Sequence, residues 1–251
     1  MGVFLDLVHL SCHVFLLIIM QEQSRLVRRG DAVLTVLLAS LVPGLFWLWY
    51  FNRYDIHDKE PLGELVRCLF CGALAVIPAL VWEAPFRDLL QTTGPVYVSL
   101  GLSFLVVGLG EEGFKLAAVY LAVFKSKHFN EPMDGIIYAI ATSIGFSVVE
   151  NILYISAFGL QVAPLRGTIA TLAHIAFSGL AGYFLGQAKF SSQPIPLVLM
   201  GLSVATFAHG FYDFLLIRRL VSPLVLALLI LALHLSLLWA IDKAVRRPQN
   251  R

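Results

Sequence analysis

Six side chains suited to acid–base or ligand chemistry lie inside long apolar stretches of this sequence. Glu111 and Glu112, with Lys115 just beyond, stand in Gly108-Leu-Gly-Glu-Glu-Gly-Phe-Lys115. Glu150, followed by Asn151, closes Phe146-Ser-Val-Val-Glu-Asn151; His174 sits in a run of its own; His209 and Asp213 bracket His209-Gly-Phe-Tyr-Asp213. A carboxyl group buried among apolar groups can take a proton from water near neutral pH and return it later. A neighbouring imidazole or ammonium then stabilises the oxyanion of a tetrahedral intermediate. That pairing hydrolyses an amide with activated water and needs no Ser or Cys nucleophile. The same set also suits a divalent metal. Glu150, His174 and His209 are the ligand candidates, and one zinc ion with a water in its fourth position would form an open catalytic site, a remaining Glu serving as base. Spacing leaves both chemistries open, because there is no HExxH to put two histidines on one helix.

Helical geometry sharpens the set. Glu111 and Lys115 are four residues apart and pair on one face, whereas Glu112 is turned about 100° away and meets different neighbours. His209 and Asp213 share the same i, i+4 relation, so Asp213 can orient the imidazole or share a cation with it. Each residue also has a plainer reading. His174 alone would be a hydrogen-bonded histidine linking helices, and Glu111 with Lys115 alone would be a structural ion pair. Glu150 has no cation near it in sequence and resists that treatment. Taken together the set marks function, since ionisable groups inside a bilayer are costly and are kept for a use. Tyr138 and Tyr212 are possible hydrogen-bond donors to substrate. Asp134 reads as the N-cap of the next helix. Glu83 and His234 read as interfacial or helix-bonding residues, and His9 and His13 carry little signal.

The elements that must position these groups follow from composition. The chain has 251 residues, of which 59% are hydrophobic and 14% charged, and its mean hydropathy is +0.82. A soluble domain of this size needs roughly 25% charged residues to cover its surface, so a soluble enzyme and a disordered chain are excluded. A formal charge of +2, with the basic residues scattered over loops, leaves no phosphate-binding stripe and excludes a nucleic-acid partner. The fold class is all-α: a polytopic membrane bundle of seven to eight transmembrane helices embedded in a lipid bilayer. Stretches of about 20 apolar residues fall at 32–51, 65–84, 97–124, 134–159, 167–188, 195–216 and 221–241. Residues 3–20, without the basic start of a signal peptide, read as a polar first span or an interfacial helix. Connections are too short for a soluble domain, so residues 1–251 form a single integral membrane domain with 97–216 as its catalytic core. Ser178, Gly182 and Gly186 offer a small-residue face for close helix packing. Cys12, Cys68 and Cys71 imply no disulfide framework, and Cys68-x-x-Cys71 lacks the second pair a metal site would need.

A proton- or ion-coupled transporter could use the same Glu, His and Asp groups as a relay. Two features oppose it. The sequence has no internal repeat and no pair of helices broken at matching positions in two halves.

At this point the motifs resemble a known family. Glu111-Glu-Gly-Phe-Lys115 matches EExxK, Glu131-Pro-Met-Asp-Gly-Ile-Ile-Tyr138 matches EPxDGxxY, Phe146 to Asn151 matches FxxxEN, and His209 to Asp213 matches HGxYD. His174 fits the remaining position, and Lys59-Glu-Pro61 resembles an acidic-basic loop upstream. In this order on successive spans they are similar to the PrsW family of intramembrane proteases, distant relatives of CAAX-prenyl endopeptidases and bacteriocin-immunity membrane proteins. The likeness runs from about residue 35 to 216. It implies a multi-pass prokaryotic membrane protein that hydrolyses peptides within the bilayer, with Glu111, Glu112, Glu150, His174, His209 and Asp213 at the site. It also implies a membrane-anchored protein substrate, such as a single-pass regulator, and either a glutamic or a metal-dependent mechanism. On that reading Glu111 or Glu112 activates water. His174 and His209 stabilise the oxyanion or bind zinc, Asp213 orients His209, and Glu150 carries protons or acts as a ligand. Lys115, Asn151 and Tyr212 support them.

Overall fold

A computed structural model describes residues 30–90, 94–218 and 220–246. Within them α1 runs Gly30–Asn52 and α2 Leu62–Glu83. A continuous helical passage follows, made of α3 (Val96–Gly101), a π-helical segment Leu102–Gly108 and α4 (Leu109–Val123). Then come α5 (Pro132–Phe158), α6 (Thr171–Lys189), α7 (Pro194–Ile217) and α8 (Pro223–Val245). No strand occurs among the described residues. The expected segment 3–20, with His9, His13 and Cys12, lies outside them.

Six of the described helices are long and apolar enough to cross a membrane by length and composition. They coincide with the expected spans except at 97–124, which is helical throughout but carries Glu111, Glu112 and Lys115. The expected count of seven to eight is therefore approximate: apolarity alone supports six. The seventh passage is paid for by the charges it brings to the site.

The helix starts follow local chemistry. Pro132, Pro194 and Pro223 occupy first turns, where the missing N–H costs nothing. Asp134 is not the N-cap of α5. Glu131 holds that position, and Asp134, three residues in, reaches back to accept from the backbone N–H of Glu131 at 2.8 Å and of Asn130 at 2.6 Å. At its far end α5 stops at Gly159, whose φ of +87° is open to a residue without Cβ.

Helix α5 is the axis of the bundle, buried along most of its length and packed against α6, α2 and α1. Two crossings are close because side chains are missing. A Cβ on Gly135 would collide with the backbone of Gly182 and Gly186, so the small-residue face of α6 meets α5 there. A Cβ on Gly145 would run into the Leu69 carbonyl of α2, and one on Gly72 into that of Thr142. Backbone approach of this kind is how membrane helices gain packing energy where lipid offers no hydrophobic contrast. The outer faces of α1, α2 and α8 are apolar and exposed, with Trp49, Phe70 and Trp239 among them, as expected of surfaces that meet lipid. Cys68 and Cys71 are free thiols on α2.

Candidate active site

The polar groups singled out in α4 to α7 converge on one buried centre. Glu111 is 3% exposed, Glu112 1%, Lys115 1%, Glu150 3%, His174 6% and His209 3%. Lys115 is the hub. Its ammonium lies 3.1 Å from Glu111 Oε2, 2.8 Å from Glu112 Oε1 and 2.9 Å from His174 Nδ1, with the Phe146 ring 4.2 Å away. It thus pairs with both carboxylates of α4, not with Glu111 alone.

An ammonium has donors only, so His174 Nδ1 must accept from Lys115, and the ring proton sits on Nε2. That nitrogen lies 2.8 Å from Glu150 Oε2 and donates to it. His209 is held from the other side: its Nδ1 lies 2.9 Å from Glu112 Oε1 and donates to that carboxylate. The Nε2 of His209 lies 3.9 Å from Glu111 Oε2 and 3.6 Å from Asp213 Oδ2. Each imidazole is therefore fixed through one nitrogen by its own glutamate and presents the other nitrogen to Glu111. His174 Nδ1 is 4.0 Å from Glu111 Oε2. These three side chains form a buried group able to hold a metal ion. Glu150 is not in that group, because it is engaged behind His174.

The remaining oxygen of Glu112 accepts from Ser178 Oγ at 2.7 Å, and Phe177 stacks on His209 with ring centroids 4.8 Å apart. Both packing partners come from α6. Local backbone explains the aim of two of the helices that bear these groups. The π-helical turn Leu102–Gly108 immediately precedes Glu111, and a second one, Arg166–Ala170, immediately precedes His174. Such turns shift the helical register and occur often at functional sites. Gly110 is needed beside Glu111, since a Cβ there would meet the Trp82 ring at 2.5 Å. Trp82 in turn donates to the Val106 carbonyl at 3.1 Å, joining α2 to the π turn.

A cavity of about 90 Å³ opens onto this centre, and Glu111, Glu150, His174, His209, Tyr212 and Asp213 all border it. Its outer wall is apolar and includes Val162, Leu165, Ile169 and Leu226. Asp213 and Tyr212 are half-buried, at the edge of the cavity. Asn151 stands behind the centre, bonded to Thr171 Oγ1 at 3.1 Å. Tyr138 belongs elsewhere: its hydroxyl donates to Glu60, at the opposite end of α5 and about 18 Å along the helix from Glu150.

Two residues that sequence alone set aside reach the site. Glu83, expected to be interfacial or helix-bonding, is 1% exposed and borders the cavity from the end of α2. Arg166, a loop cation by sequence, contacts Glu150 and Asn151. Neither belongs to a motif, and no helical spacing relates them to one; only the fold brings them in.

Comparison with known proteins agrees with this geometry. A family model described as PrsW family intramembrane metalloprotease matches residues 60–240. "Protease PrsW" of Geobacillus kaustophilus is 33% identical over 218 residues, 86% of this chain and 95% of that protein. "Protease PrsW" of Bacillus subtilis is 32% identical over 183 residues, 72% of this chain and 82% of its own. That of Clostridioides difficile is 29% identical over 219 residues, 83% of this chain and 89% of its own. No solved structure matches. No finding supports the transporter alternative, and a match spanning α2 to α8, with a glutamate–histidine centre at its heart, leaves one assignment: the chain belongs to the PrsW family of intramembrane metalloproteases.

Proposed function

We propose that this membrane protease hydrolyses a peptide bond of a membrane-anchored protein with Glu111, His174 and His209 as ligands of one zinc ion and Asp213 as the acceptor of the proton from water. One observation carries the reading. Two imidazoles, each held through one nitrogen by a separate glutamate, bring their other nitrogens within about 4 Å of the same oxygen of Glu111. Histidines that ligate metals commonly give their remote N–H to a carboxylate in this way. The donor set of two imidazoles and one carboxylate is that of catalytic zinc sites with an open fourth position. Lys115 acts as a stand-in cation, touching both Glu111 Oε2 and His174 Nδ1; an ion there competes with its ammonium for those two atoms, while Glu112 remains as its partner. When bound, the ion would polarise both the water and the scissile carbonyl.

The chain's own groups divide the remaining work. Both oxygens of Glu112 are engaged, by Lys115, His209 and Ser178, so Glu112 holds His209 in place and is poorly suited to receive a proton. Asp213 borders the cavity beside His209 Nε2, where it can accept a proton from water and deliver it to the departing amine. A substrate helix must unwind before its peptide bond is exposed, because an intact helix has its carbonyls occupied. A single-pass regulator suits this need: one isolated span can fray against the apolar wall of the cavity with no bundle of its own to disrupt.

The test uses full-length protein in detergent, with zinc content measured beside cleavage of a panel of single-span peptides. Wild type is expected to carry about one zinc and to lose cleavage on chelation. Glu111→Gln and His209→Gln should lose both metal and cleavage. Asp213→Asn should keep its zinc while kcat falls about 10²–10⁴-fold, the usual contribution of a general base. Full cleavage by chelated, metal-free protein would instead make Glu111 the activator of water. Full activity in Asp213→Asn would remove the base assignment.

A further inference from the structure

We propose that Arg166 is a positioning residue of the active site, which fixes Glu150 and through it the orientation of the His174 ring. The guanidinium is anchored at two points on α5. Its Nη2 donates to Glu150 Oε2 at 3.2 Å, and its Nε donates to Asn151 Oδ1 at 2.9 Å. Its Cζ lies over the Tyr154 ring, 4.0 Å from the centroid, one helical turn further along α5. Glu150 Oε2 is the same oxygen that receives the Nε2–H of His174. The chain of contacts therefore runs from Tyr154 and Asn151 through Arg166 and Glu150 to His174, and each link is direct.

The backbone of Arg166 is tied as firmly as its side chain. Its carbonyl accepts from Thr171 Oγ1 at 2.9 Å, and that hydroxyl is shared with Asn151 Nδ2 at 3.1 Å and Ser147 Oγ at 2.9 Å. Arg166 opens the π turn that aims His174, so one residue sets both the path of the helix bearing the histidine and the carboxylate that holds its ring. This accounts for Asn151, which does not touch the metal-competent group: it holds Arg166. Arginine suits the task because its planar fork satisfies two acceptors at fixed angles, which an ammonium cannot do. Without it, Glu150 Oε2 would keep His174 but lose the contact that fixes where the carboxylate lies.

The inference rests on the proposed zinc centre for its effect on metal affinity, but not for its effect on the ring. Two measurements on the full chain in detergent separate them. The first is the ¹⁵N spectrum of histidine-labelled, metal-free protein, with the His174 signals assigned by difference from His174→Gln. Wild type is expected to show His174 protonated at Nε2 alone. In Arg166→Ala and Asn151→Ala the Nε2 signal should shift and broaden as the hydrogen bond to a loosened Glu150 becomes heterogeneous, and Arg166→Lys should do so to a lesser degree. The second is zinc affinity by chelator competition. Arg166→Ala should weaken zinc about tenfold, the low end of losses seen when outer partners of metal ligands are removed. In the Glu150→Gln background the same change should add nothing, because the path through Glu150 is already cut. An unaltered His174 spectrum and unaltered zinc affinity in Arg166→Ala would overturn the proposal. So would additive losses in the double variant, which would mean that Arg166 acts on folding and not through Glu150. If wild type binds no zinc, the metal reading falls while the spectra still decide the role of Arg166.

Discussion

The bundle buries carboxylates in two places and compensates them by different means. In the centre between α4 and α7, Glu111, Glu112 and Glu150 are matched by Lys115, Arg166 and two histidines, each within hydrogen-bond or ion-pair reach. At the other end of α5, Asp55, Glu60, Glu131 and Asp134 are all 7% exposed or less, and the donors that meet Asp134 and Glu60 are backbone N–H groups and a tyrosine hydroxyl. There the backbone and a proton do the work. Asp134 takes two backbone N–H groups, Tyr138 donates to Glu60, and the carboxyls of Glu60 and Asp134 lie beside one another. Two carboxylates buried side by side repel each other when both are ionised, so holding a proton is favoured. Burial, with Asp134 beside it, pushes Glu60 up to about 10, and burial beside Glu131 pushes Asp55 up to about 6. The centre proposed to hold a metal keeps its cations; a joint that ties the loop 53–61 to the start of α5 can keep its acids neutral.

The largest effect expected from breaking this contrast is at Lys115. Replacing it with Met leaves Glu111 and Glu112 buried together without their shared cation, and removing one partner of a buried ion pair costs about 3–5 kcal/mol. Metal-free Lys115→Met should therefore unfold at a much lower temperature than wild type. Zinc should restore most of the loss, because the ion takes over the position the ammonium held against Glu111 and His174. Thermal unfolding with and without zinc measures this directly. A variant as stable as wild type without metal would show that the ion pairs of the centre carry little of its stability.

A smaller effect is expected at the other end. Tyr138→Phe removes the donor to Glu60 while preserving the packing of the ring against Phe129. A buried acceptor left short of its donor costs about 1–3 kcal/mol. Cleavage should stay within about twofold of wild type, since Tyr138 is some 18 Å from Glu150 along α5. Loss of cleavage without loss of stability would join the two clusters into one functional unit and end the comparison.

The sequence made these two clusters look alike, because both appear as motifs rich in acids. What could be read from it was helix type, the approximate spans, and the convergence of Glu111, Glu112, Glu150, His174, His209 and Asp213. Hydrophobic length and the cost of charge in lipid determine those, and both are local. The pairings were not legible. Glu112, not Asp213, holds the proton-bearing nitrogen of His209, and Lys115 bridges two acids and a histidine 59 positions away. Both follow from how α4, α6 and α7 rotate against each other, which the close glycine contacts and the two π turns decide. Arg166 was invisible for the same reason: a cation at the start of a span is ordinarily a boundary residue, and only the path of the chain after Gly159 turns it inward. Glu83 is the mirror case, a charge near a span end that the fold places beside the cavity.

The finest test of the contrast is its dependence on pH. A carboxyl whose value is raised by folding binds its proton more tightly in the folded chain, so its stabilising contribution is complete below the ordinary carboxyl range. It is lost as pH rises toward the folded value. For Asp55 that window runs from about 4 to about 6, and for Glu60 from about 4.5 to about 10. The groups that face Glu60 are Asp134 and Tyr138 from α5 and Asp55 from its own loop; around these stand Glu131, Asp58 and Lys59 near Asp55 and Glu64 near Tyr138. Lys189 at the end of α6 lies near Asp134. Most of these are acids, so raising the pH adds repulsion with little cation nearby to absorb it. The unfolding temperature of wild type should therefore fall between pH 6 and pH 9. Glu60→Gln, which keeps the shape and can donate to Asp134 without a titrating proton, should lose part of that slope while cleaving at the wild-type rate at neutral pH. Parallel curves for the two proteins would mean that the proton is held elsewhere, and the joint would then have to be compensated by charge after all, as the centre around Lys115 is.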